Sequence, residues 1–108
     1  MVRQIEAQEL SRRLADQEPT WLLDVRQAWE HQMAALPNSQ LIPLNELIHR
    51  YREIQAPAGA LIVTYCHHGI RSLSAAALLD QLGFPHVASL AGGIDAWSCV
   101  VDTRVPRY

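Results

Sequence analysis

The sequence predicts an α/β domain with a mostly parallel central sheet flanked by helices on both faces. Short apolar runs suited to strands covered on both sides alternate with segments of helical apolar spacing. Glycines and prolines fall between these segments, and no internal repeat, low-complexity tract or linker divides the 108 residues. That length suits one domain, residues 1–108, whose single core needs no disulfide or metal for support.

Ile5 to Ala15 sets Ile5, Leu10 and Leu14 among charges and reads as a short lead-in to a surface helix. Thr20-Trp-Leu-Leu-Asp24-Val25 is a compact apolar run and reads as a strand. Residues 27–35 permit a helix, Pro37-Asn38 turns the chain, and Leu41-Ile42 is a very short strand before Pro43. Helical spacing through Leu44, Leu47, Ile48 and Tyr51 predicts a helix over 44–54, broken by Ala56-Pro-Ala-Gly59. A strand follows at 60–65, then a helix from Ser72 to Leu82 closed by Gly83 as a left-handed cap. His86 to Leu90 is the next strand, Gly92-Gly93 a turn, and Ile94 to Ser98 a short helix before a tail at 99–108. In such an alternation the ligand site lies at the carboxyl ends of the strands, where Asp24 and Cys66 both fall.

Composition narrows the function. A net charge of −2 leaves no footprint for nucleic acid. All nine basic residues are arginine, which excludes a Schiff-base lysine. Arg3, Glu6, Glu9, Arg12, Arg13, Asp16 and Glu18 interrupt any apolar leader, and no run approaches the roughly 18 apolar residues of a membrane helix. Two cysteines, Cys66 and Cys99, make a disulfide framework unexpected, so a reducing, cytoplasmic setting is predicted.

The chemistry concentrates in Cys66-His67-His68-Gly69-Ile70-Arg71, between a strand and a helical run that opens at Ser72. A helix N-terminus offers unpaired N–H groups and partial positive charge, which favour a thiolate and any anion beside it. Gly69 lets the loop curl inward and Arg71 adds a cation, so Cys66 reads as a nucleophile in an anion cradle. Spacing then selects the chemistry. Four residues separate Cys66 from Arg71, and Ser72 stands where the longer loop of protein tyrosine phosphatases would put its arginine. A tighter ring leaves less room for a phosphoryl group but still stabilises the terminal sulfur of a persulfide. It therefore favours sulfur transfer over a phosphatase or arsenate reductase.

With these motifs in view, the chain resembles the single-domain rhodaneses, a family of sulfurtransferases. The resemblance rests on Leu23-Asp24-Val25-Arg26 with Trp29-Glu30; on Leu36-Pro37-Asn38-Ser39 with Ile42-Pro43-Leu44; and on Cys66 with Gly69, Arg71 and Ser72. Gly83-Phe84, Val87, Leu90, Gly92-Gly93, Ala96 and Trp97 complete it, and the tail Asp102 to Tyr108 looks like endings of small bacterial members. Asn38-Ser39 replaces the family's commoner Gly-Ala.

The resemblance implies a rhodanese-like domain that uses no cofactor. Cys66 would take a sulfane sulfur from thiosulfate or a persulfide donor, carry it as a persulfide, and pass it to a thiol or cyanide. The N–H groups of His67, His68, Gly69, Ile70, Arg71 and Ser72 would hold that sulfur, with Arg71 orienting an anionic donor. A protein acceptor would make the domain a sulfur-relay module.

His67-His68 invites a metal reading, yet adjacent side chains are expected to diverge and no second ligand cluster is apparent, so no metal is predicted. At least one of the two reads as a plain solvated loop residue, the other reading being a pH-dependent positive mouth for anions. Asp24 reads as orienting Arg26 or bracing the loop. Cys99 and the tryptophans Trp21, Trp29 and Trp97 read as packing residues.

Overall fold

The computed structural model describes residues 2–108 and contains a five-stranded sheet in the order β1-β5-β4-β2-β3, with every neighbouring pair parallel. Its strands are β1 (Gln4–Ile5), β2 (Thr20–Asp24), β3 (Gln40–Leu41), β4 (Leu61–Tyr65) and β5 (Val87–Leu90). Its helices are α1 (Ala7–Ala15), α2 (Ala28–Met33), α3 (Leu44–Arg50), α4 (Ile70–Gln81) and α5 (Gly93–Val100). A single 3₁₀ turn, Tyr51–Glu53, extends α3.

β4 is buried along its whole length, which explains why its sequence shows no apolar–polar alternation. Its side chains still divide between the two faces. Leu61, Val63 and Tyr65 join Leu10, Leu22, Leu90, Ile94 and Trp97 on the face covered by α1 and α5. Ile62 and Cys66 join Leu23, Val25, Leu47, Ala75 and Leu79 on the face covered by α3 and α4. The expected arrangement of helices on both faces therefore holds, and the sheet is wholly parallel.

Strand order also fixes where a ligand belongs. From β2 the chain steps outward to β3, and from β4 it steps the other way to β5, so the order reverses between β2 and β4. That is the crevice at which open parallel sheets bind ligands. Asp24 ends β2 and Cys66 follows β4, and Val25 N–H donates to Tyr65 O across the gap at 3.1 Å.

Four expectations need correction. The segment at Ile5 looks like a lead-in to a helix because two residues are too few for a strand pattern, yet Gln4 and Ile5 pair with Ser89 and Leu90 as β1. The helix expected over 44–54 stops at Arg50 and tightens into the 3₁₀ turn before the proline-containing break. α4 begins at Ile70, two residues before the predicted Ser72, which moves Arg71 from the loop into the first helical turn. Finally Trp29 is 58% exposed, because α2 turns it outward beside the site instead of into the core.

Candidate functional site

Cys66 occupies the N-terminal end of α4, and its Sγ acts as the helix cap. Gly69 N–H and Ser72 N–H donate to it at 3.1 and 3.3 Å. The other first-turn amides, of Ile70 and Arg71, have no carbonyl within the helix to bond. The thiol is 1% exposed, and the loop above it is rimmed by Ile70 at 77% exposure. Beneath the sulfur, Cys66 S–H donates to Ser72 Oγ at 3.5 Å, and Ser72 Oγ shares a 2.7 Å hydrogen bond with Ser89 Oγ. Both hydroxyls are fully buried, so Ser72 supports the sulfur from below and does not line the mouth.

Two glycines make this cradle possible. Gly69 caps α4 at φ 101°, where an L side chain is strained. Gly93 lets α5 approach so closely that a Cβ there would collide with the carbonyls of Cys66 and His67. Those carbonyls instead accept from Ile94 N–H and Asp95 N–H at 2.9 and 3.1 Å, which pins the loop to α5.

Arg71 is not a free cation over the thiol. Its Nη1 and Nη2 donate to Glu30 Oε1 and Oε2 at 2.7 and 2.9 Å, a bidentate pair that holds the Arg71 pKa above its ordinary value. Glu30 is held from the other side by the start of α2, where Gln27 N–H donates to Oε1 at 3.1 Å in a capping box. Tyr108 O–H donates to Oε2 at 2.7 Å. Glu30 is only 3% exposed, and the Arg71 hydrogen bonds, opposed by burial and reinforced by Tyr108 and Gln27, lower its pKa to about 2.

This shift carries a pH dependence. An unfolded glutamate titrates near 4.5, so the stabilisation from Glu30 is complete above that value and is lost as pH falls toward about 2. Glu30→Gln is expected to lower stability at neutral pH by roughly 3 kcal/mol and to flatten the acid limb of the stability curve. Urea unfolding at several pH values measures both. Parallel acid limbs in the two proteins would remove Glu30 from this role.

Asp24 and Arg26, read from the sequence as supporting residues, form a fully buried pair. Arg26 Nε donates to Asp24 Oδ1 at 2.8 Å and Nη2 to Oδ2 at 2.6 Å, while Arg26 N–H adds a third bond to Oδ1 at 3.0 Å. The His31 ring contacts the same carboxylate through Nδ1 at 2.7 Å. Burial opposes the charge on Arg26, but its hydrogen bonds to Asp24 and Tyr108 outweigh this and raise its pKa. Asp24 thus orients Arg26, and Arg26 reaches the site by donating from Nη1 to Tyr108 O–H at 2.8 Å.

The histidines differ from expectation. Their rings do not diverge: His67 stacks on His68 at 3.9 Å and on Tyr108 at 4.0 Å. Burial, together with the neighbouring His68, lowers the His67 pKa, so this ring stays neutral to lower pH and is a poor source of positive potential. His68 is the exposed member. Donor atoms of His67, His68 and Asp95 lie within 4.8 Å of one another, the set best placed for a metal among the described residues. Asp95 is at the same time paired with Arg107, whose Nε donates to it at 2.9 Å. Cys99 is exposed on α5, outside the loop.

Glu30 and Tyr108 were not picked out as site residues. Glu30 stood only as part of a motif, and Tyr108 lies 42 positions beyond Cys66 with no local pattern to announce it.

Comparison with known proteins identifies the family. The family described as Rhodanese-like domain matches residues 6–99. A protein named Sulfurtransferase from Allochromatium vinosum is 39% identical over 98 residues, covering 91% of this chain and 90% of the relative. Thiosulfate sulfurtransferase GlpE from Pseudoalteromonas translucida is 31% identical, with 87% and 88% covered. The chain spans only 23% of a Zea mays relative, Adenylyltransferase and sulfurtransferase MOCS3-2, at 34% identity. The crystal structure of a rhodanese-related protein from Thermoplasma volcanium superposes with a TM-score of 0.78 at 30% identity, covering 88% of this chain and 89% of that one. With the family model over most of the chain and these relatives beside it, the chain belongs to the rhodanese-like domain family.

Proposed function

We propose that the protein transfers a sulfane sulfur from thiosulfate or a related persulfide donor to a thiol or cyanide acceptor through Cys66. The observation that carries this reading is the Cys66 Sγ seated on the Gly69 and Ser72 amides at the start of α4, which favours an anionic sulfur. In the first half-reaction the Cys66 thiolate attacks the outer sulfur of thiosulfate. A new S–S bond forms to Cys66, the donor S–S bond breaks, and sulfite leaves with the electron pair. In the second, an acceptor thiolate attacks the outer sulfur and takes it away as its own persulfide, while the Cys66 thiolate is released. The two steps balance without a cofactor.

The amides of Ile70 and Arg71 are available to the outer sulfur, and the buried serine pair supports the inner one. Bidentate binding to Glu30 occupies one edge of Arg71 and leaves its remaining N–H groups for the donor's oxygen atoms.

Incubation with thiosulfate is expected to add the mass of one sulfur atom to Cys66, read by intact-protein mass spectrometry and peptide mapping. No addition from thiosulfate or from an organic persulfide would overturn the proposal. Arg71→Ala is expected to lower kcat/KM for thiosulfate roughly tenfold while circular dichroism stays unchanged. Unaltered thiosulfate kinetics in that variant would remove Arg71 from donor binding.

A second reading, a sulfur-relay module serving a protein acceptor, is favoured by the exposed apolar residues at the site, Trp29 and Ile70. Fast transfer to one protein with slow transfer to small thiols would distinguish it. A reducing, cytoplasmic setting accords with either reading, because both cysteines are free thiols and such a setting supplies thiol acceptors for the sulfur. No helix among the described residues is long and apolar enough to cross a membrane.

A further inference from the structure

We propose that Tyr108 is a positioning residue for the thiol site, and that through Glu30 it sets the preference of Cys66 for anionic reagents. The proposal rests on the sulfur-transfer reading for its biological meaning, but its geometry stands apart from it.

The segment after α5 runs back across the domain to the mouth of the crevice. Ser98 Oγ donates to Val105 O and Arg107 pairs with Asp95, so the segment is anchored at two points before it reaches Tyr108. There the phenol enters a site built from three elements. One ring face lies flat on His67, the planes 10° apart, and the ring edge meets Trp29 of α2 at 6.0 Å. The Arg26 guanidinium sits 5.5 Å from the ring centroid. The hydroxyl is saturated, accepting from Arg26 Nη1 at 2.8 Å and donating to Glu30 Oε2 at 2.7 Å.

Glu30 Oε2 is the atom that also receives Arg71 Nη2. One phenol therefore links the buried Asp24–Arg26 pair to the carboxylate that fixes Arg71. Removing the hydroxyl has two consequences of the same sign. Glu30 loses a donor that neutralises part of its charge, so the carboxylate repels an incoming anion more strongly. Arg71 also loses the third support of its partner, and its guanidinium becomes less well ordered toward the donor. Both weaken anion recognition and neither touches the sulfur.

The test uses the 108-residue chain carrying Cys99→Ser, so that Cys66 is the only thiol. Alkylation by iodoacetate and by iodoacetamide compares an anionic with a neutral reagent at that sulfur, independently of sulfur transfer. Tyr108→Phe keeps the ring and its stacking. In it the iodoacetate-to-iodoacetamide rate ratio is expected to fall roughly threefold to tenfold, and KM for thiosulfate to rise by a similar factor with kcat held within about twofold. In an Arg71→Ala background the same substitution is expected to change the ratio less, since the part of its effect that passes through Arg71 is gone.

An unchanged ratio in Tyr108→Phe, or an undiminished effect without Arg71, would overturn the proposal. So would a fall in thermal stability with ratio and KM both unaltered, which would make Tyr108 a structural residue only. If the parent chain takes no sulfur from any donor yet the ratio falls as expected, the positioning role stands and the sulfur-transfer reading fails. If sulfur loads normally and the ratio does not move, the reverse holds.

Discussion

Cys66→Ser is expected to abolish sulfur loading from thiosulfate, with a loss of at least roughly a thousandfold in kcat/KM. The reason is chemical, since a hydroxyl in the same place stays protonated at neutral pH and forms no sulfur–sulfur bond. The site itself is kept. A serine Oγ can accept from Gly69 and Ser72 N–H as the sulfur does, and the change removes little volume from the 1% exposed position. Circular dichroism and the unfolding midpoint are therefore expected to stay close to those of the parent. Cys99→Ser is the matched control, because Cys99 is exposed on the outer part of α5 and contributes nothing to the loop. Loading that persists in Cys66→Ser and disappears in Cys99→Ser would assign the reaction to the wrong cysteine here.

How much of this was legible in the sequence depends on the range of each interaction. The strand-to-helix junction at Cys66 could be read directly, because an apolar run, a glycine and an alanine-rich helix lie side by side in the chain. The same local reading found Asp24 and Arg26, which sit two residues apart and bond to each other. It misjudged the charge of the site. Arg71 looks like an unopposed cation in sequence, and only the fold brings Glu30, 41 positions earlier, against it. It missed Tyr108 for the same reason, with 78 positions between the phenol and Glu30. The histidines failed in another way. Adjacent side chains on an extended segment diverge, but the curled loop that caps α4 turns His67 and His68 to the same side, where Tyr108 completes the stack. Two-residue β1 left no periodicity at all, and its pairing with β5 is purely tertiary.

Asp24→Ala is expected to cost about 3–5 kcal/mol, the largest stability loss of any single substitution in the network around the site. Asp24 and Arg26 are both fully buried, and the carboxylate receives three hydrogen bonds from Arg26 alone. Without it the guanidinium keeps neutral acceptors, among them Ala34 O at 2.6 Å and the Tyr108 hydroxyl, but no carboxylate bonded to it directly. Water cannot replace the carboxylate without opening the crevice between β2 and β4. A domain of this size has only about 5–15 kcal/mol of stability in total, so urea unfolding is expected to show a large fall in the midpoint. The loss belongs to the orphaned charge, and a second variant separates that from the worth of the pair. Asp24→Leu combined with Arg26→Met removes both charges and is expected to be more stable than Asp24→Ala. It nevertheless loses the bond from Arg26 that orients the Tyr108 hydroxyl toward Glu30, so its preference for iodoacetate should fall in the same direction as in Tyr108→Phe, and by less. If Asp24→Ala costs less than about 1 kcal/mol, the buried pair is not the brace of this site. Should the double variant recover stability and keep full anion preference, Arg26 would not act on the thiol through Tyr108.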